Sequence, residues 1–84
     1  MDELYDRVYQ KLRRLLAEQL GIELGNISRD SSLIEDLDAA PLELYDEVFP
    51  AIEHAFDVEI SADEARGLQT VQDMVDYIVD KTEL

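Results

Sequence analysis

Leu4, Tyr5, Val8, Leu12, Leu15, Leu16 and Leu20 recur at spacings of three and four, a single apolar stripe that predicts a helix over Asp2 to Leu20. Asp2 is placed to cap its start, and Gly21 supplies the left-handed residue that ends such helices. Arg13 and Arg14 lie in the C-terminal half, where cations suit the helix dipole. Tyr5 and Tyr9 read as packing residues on the same stripe.

The period then disappears. From Gly21 to Asp38 the apolar residues Ile22, Leu24 and Ile27 are isolated among Gly25, Asn26 and Ser28. A loop this long is uncommon in a small domain, so these residues are expected to tack it across the helices. Ser32-Leu33-Ile34-Glu35 has the Ser-x-x-Glu form of a capping box and predicts one helical turn over Leu33 to Leu37.

A second helix is expected over Pro41 to Ala55, with Leu42, Tyr45, Val48, Phe49, Ile52 and Phe56 on one face and Glu43, Asp46, Glu47 and Glu53 facing water. Pro41 suits the first turn, where its missing N–H removes no helix bond. Pro50 does not: it deletes a bond to the Asp46 carbonyl and crowds that turn, so a kink or break is expected there. Asp57-Val58-Glu59-Ile60 is a short extended link. Ser61-Ala62-Asp63-Glu64 is a second capping box opening a brief helix at about 62–67, which ends at Gly67. Thr70 to Asp73 caps a last helix at about 71–81, with Val71, Met74, Val75 and Ile78 inward. The pattern is all-α: three longer helices and one short one in an up-and-down bundle, a single domain over 1–84 without repeats.

Composition narrows the class. At 84 residues and 46% apolar, the chain supports a modest core worth about 5 kcal/mol. It has no cysteine, so neither a disulfide framework nor a thiolate metal site is available. No apolar run approaches the roughly 18–20 residues needed to span a bilayer. Met1-Asp2-Glu3 does not open a signal-peptide pattern, and a cytoplasmic location is the expectation. The net charge of −14 repels nucleic acid and anionic membranes, which are set aside as partners. The charge is also uneven. Arg7, Lys11, Arg13 and Arg14 lie in the first helix, whereas Asp30 to Ala65 holds twelve Asp or Glu residues and no Lys or Arg.

Candidate chemistry is sparse. His54 is the one histidine, with no second His and no Cys to pair with it, so it reads as a surface or partly packed residue. Glu35, Asp36 and Asp38 lack the ligand spacing and glycine of a calcium loop and read as a solvated acidic turn. No metal site and no catalytic residue are expected, and the chain does not read as an enzyme.

Three strings carry a resemblance across the whole chain. Leu33-Ile34-Glu35-Asp36-Leu37 before the second helix, Ala55-Phe56-Asp57-Val58-Glu59-Ile60 after it, and Thr70 to Ile78 at the last helix are similar to the matching segments of the acyl carrier protein family. The order of elements resembles that family too. The resemblance implies an acyl-carrier-like four-helix bundle and a Ser at the start of the second helix, in Asp-Ser-Leu, bearing 4′-phosphopantetheine. Counting forward from Glu35-Asp36-Leu37 puts that position at Pro41. Counting back from Phe56-Asp57 puts it at Leu42, as though the helix held one extra residue. The neighbour on the other side is Ala40. None of the three has a side-chain oxygen to form the phosphodiester, so the attachment position is expected to be vacant and no cofactor is expected unless the chain is a Ser-substituted carrier.

The resemblance also implies where partners bind. In acyl carriers the acidic second helix docks on Arg and Lys patches of partner enzymes, and Glu43, Asp46, Glu47 and Glu53 are placed to do the same, with Leu42, Leu44 and Tyr45 as apolar anchors. The expectation is a monomeric, non-catalytic interaction module meeting a basic surface of a biosynthetic or regulatory partner. The alternative is a genuine acyl or peptidyl carrier with its attachment residue changed. Self-association through the second helix would give a dimer, which −14 opposes at low salt. Carriers also sequester a fatty chain between helices; the Leu, Ile and Val lining here permits that, as it does in any small bundle.

Overall fold

The computed structural model describes residues 3–82. The first helix, α1, spans Glu3–Leu20, and the role assigned to Asp2 lies outside the described residues. Val8, Leu12 and Leu16 on its stripe are buried, with Tyr9 beside them. Gly21 ends it in the left-handed region at φ +66°, and the Ile22 amide returns to the Ala17 carbonyl at 3.1 Å. That bond closes the last turn and satisfies a carbonyl the helix leaves open.

The segment from 21 to 40 holds one short 3-10 turn, Leu24–Asn26, and is otherwise without helix. A radius of gyration of 11.7 Å is close to the roughly 12 Å expected of a folded chain this long, so the segment lies on the helices rather than away from them. Ile27, Leu33, Leu37 and Ala39 are buried and hold it there. Leu24, expected as an anchor, is 43% exposed instead. The reason is that its turn is held by polar bonds: Arg13 donates from Nε to the carbonyls of Leu24 and Ile27 at 3.1 and 3.2 Å. Tyr9 adds its hydroxyl to the Ile27 carbonyl at 3.3 Å, and the Arg29 guanidinium lies over its ring at 4.2 Å. Further on, backbone amides of Leu33, Val71 and Gln72 bond the carbonyls of Gln69, Ser31 and Arg29 at 2.9–3.0 Å. This strand-like stitch, with one antiparallel bridge between Ser32 and Thr70, fixes the loop to the start of the last helix.

The second helix, α2, runs over 41–56 in three consecutive pieces: α-helix Pro41–Glu43, a π turn Leu44–Val48 and α-helix Phe49–Phe56. Of the kink or break expected at Pro50, the break does not occur: the helix runs on through a π turn. Pro50 stands in the first turn of the third piece, immediately after the wide turn. Widening the coil there relieves the pressure of the proline ring on the carbonyl one turn back, at Asp46. Asp57 ends α2 at φ 55°, its amide bonded to the Glu53 carbonyl. From α1, Lys11 donates to the Ala55 carbonyl at 2.8 Å, a cation where the helix dipole is negative.

The short α3, Ala62–Arg66, opens with the expected capping box: the Glu64 amide bonds Ser61 Oγ at 3.1 Å and the Ser61 amide bonds Glu64 Oε1 at 3.2 Å. The last helix, α4, spans Val71–Thr82. Thr70 and Asp73 cap it reciprocally at 3.1 Å each way. Val71, Met74, Val75, Ile78 and Val79 are buried in the common core, where α4 packs along α1. Four helices and no strand among the described residues make this a small helical bundle with the order of elements that the resemblance implies.

Tyr77 ties α4 to the 57–60 link by donating its hydroxyl to the Glu59 carbonyl at 2.6 Å. Burial and the adjoining Glu64 carboxylate, helped by the charges of Glu53 and Asp80, push its phenol from 10.0 up to about 12. The folded chain therefore holds this proton more tightly than the unfolded one. Stability from this group is complete below pH ~10 and is lost as pH rises towards ~12. In an alkaline titration followed by phenolate absorbance, Tyr77→Phe is expected to remove a component ionising near pH 12. Identical curves for the two proteins above pH ~11 would refute the assignment.

Candidate functional site

The chain reaches α2 through a tight corner. Leu37 and Ala39 are buried on either side of Asp38, which turns the backbone at φ 57°. Asp tolerates the left-handed region better than most side chains. The Ala39 amide bonds the Leu33 carbonyl at 2.9 Å, closing the corner. Ala40 is then the N-cap, with extended φ −76° and ψ 140°, and Pro41 is the first helical residue. Ser, Thr, Asp or Asn would normally place an oxygen here to accept a first-turn amide; the Ala40 methyl does not, and no side-chain cap bond is made.

The π turn accounts for the disagreement between the two counts along α2. In Leu44–Val48 the Phe49 amide reaches five residues back, to the Leu44 carbonyl, so this turn holds one residue more than an α turn. Counts made from the two ends therefore differ by one.

The same turn corrects the expected inner face. Val48, Phe49 and Ile52 are buried as expected, but one turn earlier Leu44 is inside at 5% exposure. Leu42 and Tyr45 are 72% and 46% exposed. An uninterrupted α-helix would put Tyr45 under Phe49 on the core side; the wider turn hands that place to Leu44. Leu44 thus leaves the set of exposed anchors. Tyr45 stays at the surface with its ring edge-on to Phe49, centroids 5.4 Å apart and planes at 86°.

The acidic residues divide in the same way. Asp46 and Glu47 are exposed, and Glu43 is half-buried in the first turn, where the helix dipole favours a carboxylate. The structure therefore brings Leu42, Glu43, Tyr45, Asp46 and Glu47 together on the first turns of α2. Glu53 stands about 10 Å further along the axis, and its Oε2 accepts the Ile60 amide at 2.8 Å. Its carboxylate holds the 57–60 link against α2. His54 is exposed in the last turn.

A groove beside this face went unread in the sequence. It measures about 400 Å³ and lies between the 32–35 turn, the start of α2 and the segment 65–69. Leu33, Leu44, Phe49, Ala65 and Leu68 form its buried floor, and Ile34, Pro41 and Tyr45 its wetter walls. The single helical turn expected over Leu33 to Leu37 forms, the Asp36 and Leu37 amides both bonding the Ser32 carbonyl at 3.0 Å, and it does not continue into a helix. Ser32 Oγ does accept the Glu35 amide at 3.2 Å, but the return bond, at 2.7 Å, runs from the Ser32 amide to Asp36 and not to Glu35. Asp36 is thereby committed, and Glu35 is left exposed on the groove rim. The signal for the groove was Leu33-Ile34, adjacent apolar residues of which one is 1% exposed and the other 50%.

Little covalent chemistry is available here. Ala40, Pro41 and Leu42 carry no side-chain oxygen, nitrogen or sulfur, and the Ser32 and Ser61 hydroxyls accept capping amides. The residues present at the start of α2 therefore do not fit a phosphodiester-linked arm. No helix among the described residues is long and apolar enough to cross a membrane. A family model described as a phosphopantetheine attachment site matches residues 10–78, which takes in everything from the middle of α1 to the C-terminal half of α4. With the four-helix order and the α2 corner in place, the chain belongs to the phosphopantetheine-attachment family of acyl carrier proteins.

Proposed function

We propose that this chain is a non-catalytic carrier-like domain that bears no phosphopantetheine and acts by docking the first turns of α2 on a basic patch of a biosynthetic enzyme. One observation supports this above the others. The helix that would present the arm begins Ala40-Pro41-Leu42, without a nucleophile, yet stands in a stretch of twelve carboxylates with no Lys or Arg. Docking charge is retained where attachment chemistry is missing. Asp46 and Glu47 steer and orient the encounter, and Leu42 and Tyr45 supply apolar contact once water is excluded. The vacant attachment position is Pro41, with Ala40 before it and Leu42 after.

The family match favours a second reading: a true carrier whose attachment residue has been substituted. Mass spectrometry after incubation with a phosphopantetheinyl transferase and coenzyme A separates the two. The chain itself is expected to gain nothing, and addition of one arm would overturn the proposal. Pro41→Ser is expected to remain unloaded as well, because Ala40 and the shifted face of α2 also depart from the carrier pattern; loading of that variant favours the second reading.

A further inference from the structure

We propose that the groove between the 32–35 turn, α2 and the 65–69 segment seats an apolar side chain from a cationic amphipathic helix of the docking partner. The proposal rests on the docking reading above and names what the partner brings. The groove opens beside the acidic face and shares Tyr45 with it, so one ligand reaches both. Its floor is apolar and its volume, about 400 Å³, lies at the small end of the roughly 300–1,000 Å³ that holds compact ligands. That is ample for one aromatic side chain. Tyr45 is braced edge-on by Phe49, so this wall is in place before anything binds, which lowers the ordering cost of association.

Charge selects the occupant. Glu35 is exposed on the rim, and Asp46 and Glu47 follow on the adjoining helix. The rim cation, Arg66, has Nη1 3.3 Å from Asp63 Oδ1 and is already turned to that carboxylate. An anionic amphiphile would meet repulsion here, as would a second copy of a chain with net charge −14. A helix with an apolar anchor and Lys or Arg about one turn to either side satisfies floor and rim together, the helix-in-groove mode of recognition.

The chain contains no Trp, so a Trp on the probe reports alone. The probe is a Leu/Lys amphipathic peptide about five helical turns long with one Trp at the centre of its apolar face. Its Trp emission is expected to shift to the blue on binding, and the same peptide with Trp→Ala to bind at least about tenfold more weakly. Ile34→Ala and Gln69→Phe, on the exposed wall and mouth, are expected to weaken the Trp peptide by about tenfold while leaving helical content unchanged. A version with every Lys changed to Glu is expected not to bind.

Equal binding of the Trp and Ala peptides would overturn the groove proposal and leave acidic docking intact. Loss on Ile34→Ala without any loss on Asp46→Lys/Glu47→Lys would keep the apolar seat and remove the docking reading. Decanoate that binds in an Ile34-dependent way and displaces the peptide would make a small amphiphile the occupant and overturn the proposal. So would a concentration-dependent dimer, seen by sedimentation, that Ile34→Ala dissolves.

Discussion

Leu12→Ala is expected to remove about 3–4 kcal/mol of folding stability, more than half of the ~5 kcal/mol that a chain of this size commands at the lower end of the usual range. Leu12 is completely buried in the middle of α1, the helix that packs along α4. Truncation there loses the transfer energy of the removed carbons and leaves a cavity. The cavity persists because the close-packed interior relaxes only partly around it. Leu15→Ala, one residue away from the deepest line and half-buried, should lose about half as much or less. Urea unfolding followed by helical circular dichroism checks both, with the midpoint moving and the slope unchanged. A loss under ~1 kcal/mol for Leu12→Ala would mean that the interior of the bundle is not packed as described.

That contrast explains which parts of the molecule are legible from residues alone. On α1 and α4 the helix is regular, so a period of 3.6 maps sequence directly onto burial, and Val8, Leu12 and Leu16 or Val71, Val75 and Ile78 follow in order. On α2 the same arithmetic misplaces Leu42, Leu44 and Tyr45, because one wide turn between Leu44 and Val48 advances everything before it by a residue. The disagreement between the two counts along α2 was its trace: an extra residue has to go somewhere, and a π turn is where helices put it. Capping motifs divide similarly. Ser61 and Glu64 close their box because the residue four on from Ser61 is Ala65, whereas at Ser32 that residue is Asp36, which displaces Glu35. The groove was beyond reach for a further reason. It exists because the backbone of residues 29–33 pairs with that of residues 69–72, and backbone bonds carry no side-chain signature.

The second large effect concerns the rate of docking. Asp46→Lys combined with Glu47→Lys reverses two exposed charges on the face proposed to dock, a change of four in local charge. For the Leu/Lys probe peptide at low salt, the association rate is expected to fall by about ten- to a hundredfold. The dissociation rate should change much less, since the proposed contacts with Leu42, Tyr45 and the groove are left in place by the substitutions. Raising ionic strength shortens the screening length from about 30 Å at 0.01 M to about 3 Å at 1 M, so the rates of the two proteins should converge. Glu53→Gln provides the opposite case. Its carboxylate is bound to the Ile60 amide at 2.8 Å, so the variant should lose about 1 kcal/mol of stability from a weakened charge-assisted bond and associate at close to the parent rate. Stopped-flow measurement of the probe's Trp emission across a salt series reads these rates directly. Parent and double variant associating equally fast at low salt would show that the acidity of α2 serves solubility alone. A Glu53→Gln defect as large as the double variant's would place the docking surface around the C-terminal end of the helix instead.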